Sequence, residues 1–219
     1  MKRTLLLAPI LCGALLLLPL ACDKDLSDPG DPEEETVQEF LNRLMLAYST
    51  MDSVAYETLL DSMYRFEPLS NETISDDPEP WIDREEELAL VGRMFHGRYN
   101  AAGVKVDGIE LDLHPKGDPV VDDSLYEGRP AGETWHRMNV FVDLTVVTQN
   151  PNATNGSGIV NYIVTSDQIF VVRRDPGGSG RCLSVRQIDQ ESIGKTAGGP
   201  GGVEETSGGA IKLFFLPRV

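Results

Sequence analysis

The chain has 219 residues, 35 Asp and Glu against 19 Lys and Arg, and a formal net charge of −16. So acidic a surface repels nucleic acid and anionic lipid headgroups, which excludes both as expected partners of the bare protein. The length suits one domain with tails.

The first 21 residues have the three parts of a secretory signal. Lys2 and Arg3 give a positive start, Leu5 to Leu20 form an apolar run, and Leu20-Ala21 place a small residue before Cys22. The run is shorter than the ~20 apolar residues a spanning helix needs, and Pro9 and Pro19 interrupt it. The residues Pro19-Leu20-Ala21-Cys22 resemble the lipobox of bacterial lipoproteins, with Pro19 where that family usually has leucine and Leu18 one residue further out. The resemblance implies cleavage before Cys22 and lipid on that cysteine: a diacylglycerol thioether and an amide-linked acyl chain such as palmitate. Several chains anchor stably where one is marginal. The expected location is the bacterial cell envelope, with inner and outer membrane both open. Ordinary secretion with cleavage near Ala21 is the alternative. Loss of Lys2 and Arg3 would leave the remaining chain still more acidic.

Cysteine usage follows. Cys12 lies in the apolar run, Cys22 is assigned to lipid, and Cys182 alone is left in the body. No internal disulfide can form, so the core must hold the fold together. Cys182 sits in a β-like run, reads as a buried structural thiol, and has no neighbouring histidine to make it a nucleophile.

Residues 22–35 comprise the lipidated cysteine and an acidic stretch rich in Pro and Gly, which reads as a disordered tether. Thirteen residues extend to roughly 40 Å. Its acids lack the loop spacing of a calcium site. The body is expected over 36–193, followed by a Gly-rich flexible loop over 194–209 and a C-terminal apolar segment over 210–219 that docks on the domain. Gly194-Lys195 lacks the glycine spacing of a phosphate loop.

Three helices open the body. Thr36 caps the first, where Val37, Phe40, Leu41, Leu44, Met45 and Tyr48 recur at helical spacing. Ser53 is expected to cap a second, with Tyr56, Leu59, Leu60 and Met63 on one side. Asp83 and Glu86 form a capping-box pair for a third, whose apolar side is Leu88, Val91 and Phe95. Strands follow. Val104 to His114 alternates, with a bulge expected at Asp107-Gly108. Over Thr134 to Thr148, Met138, Val140, Val142, Leu144 and Val146 share one face, and Phe141, Asp143, Thr145 and Val147 share the other. Ile159 to Arg174 is β-rich, with a bend expected near Thr165-Ser166-Asp167, and Arg181 to Asp189 is the last clear strand. Helices first and strands after imply an α+β fold, drawn most simply as helices over a curved antiparallel sheet of about four strands.

This order, with Asp52, Tyr56, Leu59, Leu60 and Phe66 in the segment 47–68 and the run from Trp81 to Phe95, resembles the nuclear transport factor 2-like superfamily, the cone-shaped fold shared with ketosteroid isomerases. The resemblance covers roughly 36–193, and Gly209 to Lys212 is similar to the closing segment of such lipoproteins. It implies a conical cavity used for small ligands or for catalysis, or filled while the sheet makes dimers.

No motif fixes a chemistry. An isomerase or hydratase would need a carboxylate base and a neutral hydroxyl donor in a dry cavity. Asp143, interrupting an apolar strand, is the candidate base, and Tyr48, Tyr162 and Tyr64 are candidate donors, none held together by local sequence. His96, His114 and His136 match no metal pattern, and no dinucleotide or phosphate fingerprint suggests a cofactor. The leading expectation is a non-enzymatic envelope lipoprotein binding a small apolar ligand or a protein partner. The alternatives are an enzyme using Asp143 and a homodimer through the outer sheet face.

Overall fold

A computed structural model describes residues 34–69, 81–126, 128–152 and 158–190, and the backbone of 203–205. The signal segment, Cys22, the tether up to residue 33 and the segment 210–219 lie outside the described residues.

Helix α1 (Val37–Ser49) starts at Thr36 as expected: the Thr36 hydroxyl accepts from Glu39 N at 3.2 Å and Glu39 Oε2 accepts from Thr36 N at 2.6 Å. Its stripe of Phe40, Leu41, Leu44, Ala47 and Tyr48 is buried. Each large apolar side chain so covered contributes about 1.5–3 kcal/mol.

The second helix departs from expectation. Helix α2 (Ser53–Glu57) is a little over one turn and is capped by Asp52, whose Oδ1 accepts from Val54 N at 3.0 Å and Ala55 N at 2.9 Å. Leu60 and Met63, expected on it, belong instead to strand β1 (Leu60–Glu67). Tyr56, Leu59 and Leu60 are buried as expected, but Met63 lies on the opposite side of the sheet from Tyr64 and Phe66. A helix here would satisfy its own backbone but leave the strand edges at Ile82–Asp83 and Ser184–Ile188, which pair with β1, without partners.

Strand β2 (Ile82–Asp83) leads into helix α3 (Arg84–Phe95). The Asp83 and Glu86 side chains answer each other's backbone N–H groups at 2.9 and 3.2 Å. The buried stripe of α3 is Glu87, Leu90, Val91, Met94 and Phe95, with Leu88 only partly covered. The chain turns away at Gly97, whose φ of +57° favours glycine and where a Cβ would press on Val106 O at 3.3 Å.

The remaining strands are β3 (Lys105–Pro115), β4 (Val120–Val121), β5 (Trp135–Gln149), β6 (Ile159–Arg174), β7 (Cys182–Asp189) and β8 (Val203–Glu205). The sheet has eight strands in the order β2-β1-β7-β6-β5-β3, with β4 also on β5 and β8 also on β6. It is mixed: β1 runs parallel to β7 and β8 parallel to β6, and the other pairings are antiparallel. The bulge falls between Val106 and Gly108, where expected. The pairing of β6 with β5 is continuous through Thr165–Asp167, and the irregularity in β6 lies at Val171/Val172 opposite β7. Within 194–209, Val203 to Glu205 pair with Asn161 to Ile163 instead of belonging to a loop.

The fold is therefore α+β, with helices over one face of a bulged sheet, the arrangement that the resemblance implied. Between them lies the main core. Two residues of the expected tether belong to this body. Glu35 receives Arg43 Nε at 2.5 Å and Cys182 N at 2.6 Å, and Arg174 donates to the Glu35 carbonyl. Cys182 is buried beside them, and burial pushes its thiol above the ordinary value.

Candidate functional site

The space between the helices and the inner sheet face is where a cone fold would hold a ligand. Alternation places the even-numbered residues of β5 inward, so Met138, Val140, Val142, Leu144 and Val146 are buried. From β6 come Val164, Ser166, Gln168 and Phe170; from β3, Ile109, Leu111 and Leu113.

A polar group is set into this apolar wall. Glu87 projects inward from the first turn of α3 and is 0% exposed; Tyr56 Oη donates to its Oε1 at 2.6 Å. Tyr48 lies edge-on to Tyr56 at 5.3 Å between centroids and to Phe95 at 5.2 Å. The Tyr48 and Tyr64 hydroxyls interact with that of Tyr56, and Tyr64 Oη donates to Gln187 Oε1 at 3.0 Å. Gln187 Nε2 donates to Gln168 Oε1 at 2.6 Å, and Gln168 Nε2 reaches Ser166 Oγ and Asp189 Oδ1, each at 3.3 Å. Burial first, and the negative charge of Glu87 second, push the hydroxyls of Tyr48, Tyr56 and Tyr64 above the ordinary value of 10.0. All three stay neutral donors.

The room beside this network is small. The space bordered by Leu44, Tyr48, Met94, Leu111, Phe170 and Gln187 has a free volume of about 30 Å³. That is well below the roughly 300–1,000 Å³ of small-molecule pockets.

The residues singled out from sequence fall in different places. Tyr48 borders this space and Tyr64 joins its network. Tyr162 is buried in the same core, opposite Val146 and Glu204 in register, away from the free volume. Asp143 is exposed on the outer face, directly across from Asp112 of β3. A base there would work in water, so the dry-cavity role envisaged for Asp143 has no structural basis. His96 caps the end of α3 through Gly92 O at 2.6 Å, His114 is exposed near Phe141, and His136 pairs in register with Val121.

Glu87 was missed, yet a signal existed. It stands three, four and seven residues before Leu90, Val91 and Met94, which places it at the head of their stripe. The acidic run Glu85-Glu86-Glu87 hid it as an ordinary first turn. Gln168 and Gln187 are likewise polar residues facing inward, beside Ser166 and Asp189.

No protein-family model matches the chain, and no curated protein matches it. Solved structures do resemble it. A nuclear transport factor 2-like superfamily protein from Salmonella enterica is 13% identical, over 74% of this chain and 92% of that one, with a TM-score of 0.46. A ketosteroid isomerase-like protein from Erwinia carotovora is 12% identical over 70% and 91%, with a TM-score of 0.41. An NTF2-like protein of unknown function in nutrient uptake from Rhodospirillum rubrum is 19% identical over 73% and 100%, with a TM-score of 0.43.

Proposed function

We propose that this protein is a non-enzymatic, lipid-anchored module of the bacterial cell envelope, with Cys22 as the acylated residue and a folded body that works by engaging a protein partner. The observation that carries the second part is the filled interior. With about 30 Å³ free between Tyr48, Gln168 and Gln187, it admits neither a small apolar ligand nor a substrate. The ligand and enzyme readings both require that space, and the exposure of Asp143 removes the base of the second. A homodimer through the outer face of β3 and β5 is disfavoured by charge. Glu110, Asp112 and Asp143 are exposed there, with Asp112 already opposite Asp143, and a facing copy would double the repulsion.

Two measurements test this. Metabolic labelling with palmitate should mark the protein and be abolished by Cys22→Ser; absence of label would remove the anchor. Calorimetric titration with indole and with 1-anilinonaphthalene-8-sulfonate should give no saturable heat on the native protein. A one-to-one complex would return the cone to the ligand-binding reading.

A further inference from the structure

Glu35 lies one residue before the cap of α1, yet most of its partners belong to the sheet and its β6–β7 turn. Its N–H donates to Gly180 O at 3.0 Å. Its carbonyl accepts from Arg174 of β6 and, at 3.4 Å, from the Cys182 thiol of β7. Its carboxylate accepts from Cys182 N at 2.6 Å and from Arg43 of α1, at 2.5 Å through Nε and 2.7 Å through Nη2. Arg43 Nη2 also donates to Cys182 O at 3.1 Å, and Arg174 Nη2 to Glu34 Oε2 at 3.1 Å. Every polar atom of Glu35 is thus engaged, and α1, β6 and β7 all hold this one residue.

Such a hold is more than a helix start needs, since Thr36 and Glu39 already cap α1. The Glu35 carboxylate is 12% exposed and the Arg43 side chain 28%, so their pair is screened less than one in open water. Glu34 and Arg174 are both exposed, and their pair adds little. Directly behind the Glu35 carbonyl is the sulfur of buried Cys182, with Arg174 Nη1 at 3.6 Å. The closed junction therefore covers the thiol. Its hold is polar, because residues 34–36 are Glu, Glu and Thr and bring no large apolar side chain.

The place of this hold matters when the chain is pulled from its N-terminal side. Tension delivered at Thr36 would load the hydrogen bonds of α1 in turn, starting with Phe40 N to Thr36 O at 3.1 Å, and draw the helix off turn by turn. Phe40, Leu41, Leu44 and Tyr48 would leave the core with it. Tension delivered at Glu35 meets Gly180, Cys182, Arg174 and Arg43 together. Bonds loaded side by side share the force, whereas bonds loaded in sequence fail one by one. Because the bonds at Glu35 are few and polar, they can open as a local unit without the apolar core.

We propose that Glu34 and Glu35 form a clasp that passes tension arriving from the N-terminal side into the sheet, sparing α1, and that opens as one local unit, uncovering Cys182 while the core stays folded. The source of the tension rests on the lipid-anchored reading. The clasp itself does not, because its opening is measured on the folded body without lipid.

Alkylation of the full chain by iodoacetamide reports the opening when it is followed by mass spectrometry on the peptide that contains Cys182, so that Cys12 and Cys22 do not contribute. Glu35→Gln keeps the shape of the side chain and removes its charge, and Arg43→Met removes the cation. Each should speed alkylation at least about tenfold, the scale of one charge-assisted hydrogen bond. In the parent, urea below the unfolding transition should leave the rate nearly unchanged, because a local opening exposes little surface. A urea dependence as steep as that of global unfolding, or unchanged alkylation in both variants, would overturn the clasp. Pulled between its two ends in optical tweezers, the parent should lose α1 together with the sheet. Glu35→Gln should show, before that event, a separate lengthening of about 25 Å, the gain from drawing the thirteen residues of α1 straight. Absence of that step from the variant, or its presence at the same force in the parent, would overturn the transfer of tension to the sheet. Either failure would leave the palmitate label on Cys22 untouched, and loss of the label would leave the clasp untouched.

Discussion

Replacing Arg173 by methionine keeps most of the side-chain volume and removes the cation that joins Glu133 to Asp61 of β1. Arg173 is 6% exposed and Asp61 is 2% exposed, so the variant leaves a carboxylate out of water with its counter-ion gone. Asp61 retains two neutral donors, Met63 N at 2.9 Å and the Ser62 hydroxyl at 3.4 Å, and Glu133, 31% exposed, can rehydrate, so the loss comes mainly from Asp61. Breaking a buried pair in this way costs about 3–5 kcal/mol, a large share of the ~5–15 kcal/mol that a domain has. With a urea slope near 2 kcal/mol/M, the unfolding midpoint should fall by about 1.5–2.5 M. Trp135, stacked within this network, reports the transition by fluorescence. Adding Asp61→Asn removes the orphaned charge while keeping an acceptor for Met63 N, so the double variant should recover at least about half of the loss. A cost below about 1 kcal/mol for Arg173→Met, the scale of an exposed ion pair, would refute the assignment of a desolvated network. So would a double variant no more stable than the single one.

Tyr56→Phe removes the 2.6 Å hydrogen bond to buried Glu87 and should cost about 1.5–3 kcal/mol by chemical denaturation. Phe170→Ala should cost about 3–5 kcal/mol and open an apolar hole in the cone, so that the variant, unlike the parent, binds indole in calorimetry. The hydrogen bond from Trp135 and the one from Arg173 hold the Glu133 carboxyl below its ordinary value of 4.5. Its stabilising contribution is therefore complete above about pH 4.5 and is lost as pH falls through the lowered value. Melting temperatures measured from pH 6 to pH 3 should drop less steeply for Glu133→Gln than for the parent. Thr36→Ala removes half of the capping box of α1 and should cost about 1 kcal/mol.

Features carried by neighbouring residues were legible in the sequence. Thr36 with Glu39 and Asp83 with Glu86 set two helix starts because both partners of each cap lie within one turn. The alternation along 134–148 gave the two faces of β5, and Asp107-Gly108 marked the bulge. Leu60 and Met63 fit a helical stripe with Tyr56 and Leu59 as well as a strand, and the neighbour that decides, β7, lies far along the chain. The rest of the candidate site was harder to see. Alternation told that Asp143 shares a face with Phe141, Thr145 and Val147, but not that the helices cover the opposite face.

By itself, then, the sequence determined the periodicities, the caps, the turn positions and the acidic balance, because each depends on residues a few positions apart or on a simple sum. The tertiary structure alone decided which face is covered, how little volume remains beside Tyr48, and that Arg65, Trp81, Tyr126, Trp135 and Arg186 meet at one groove. Those depend on packing between distant segments, where the last few ångströms settle whether a cavity exists, and no local pattern encodes that distance.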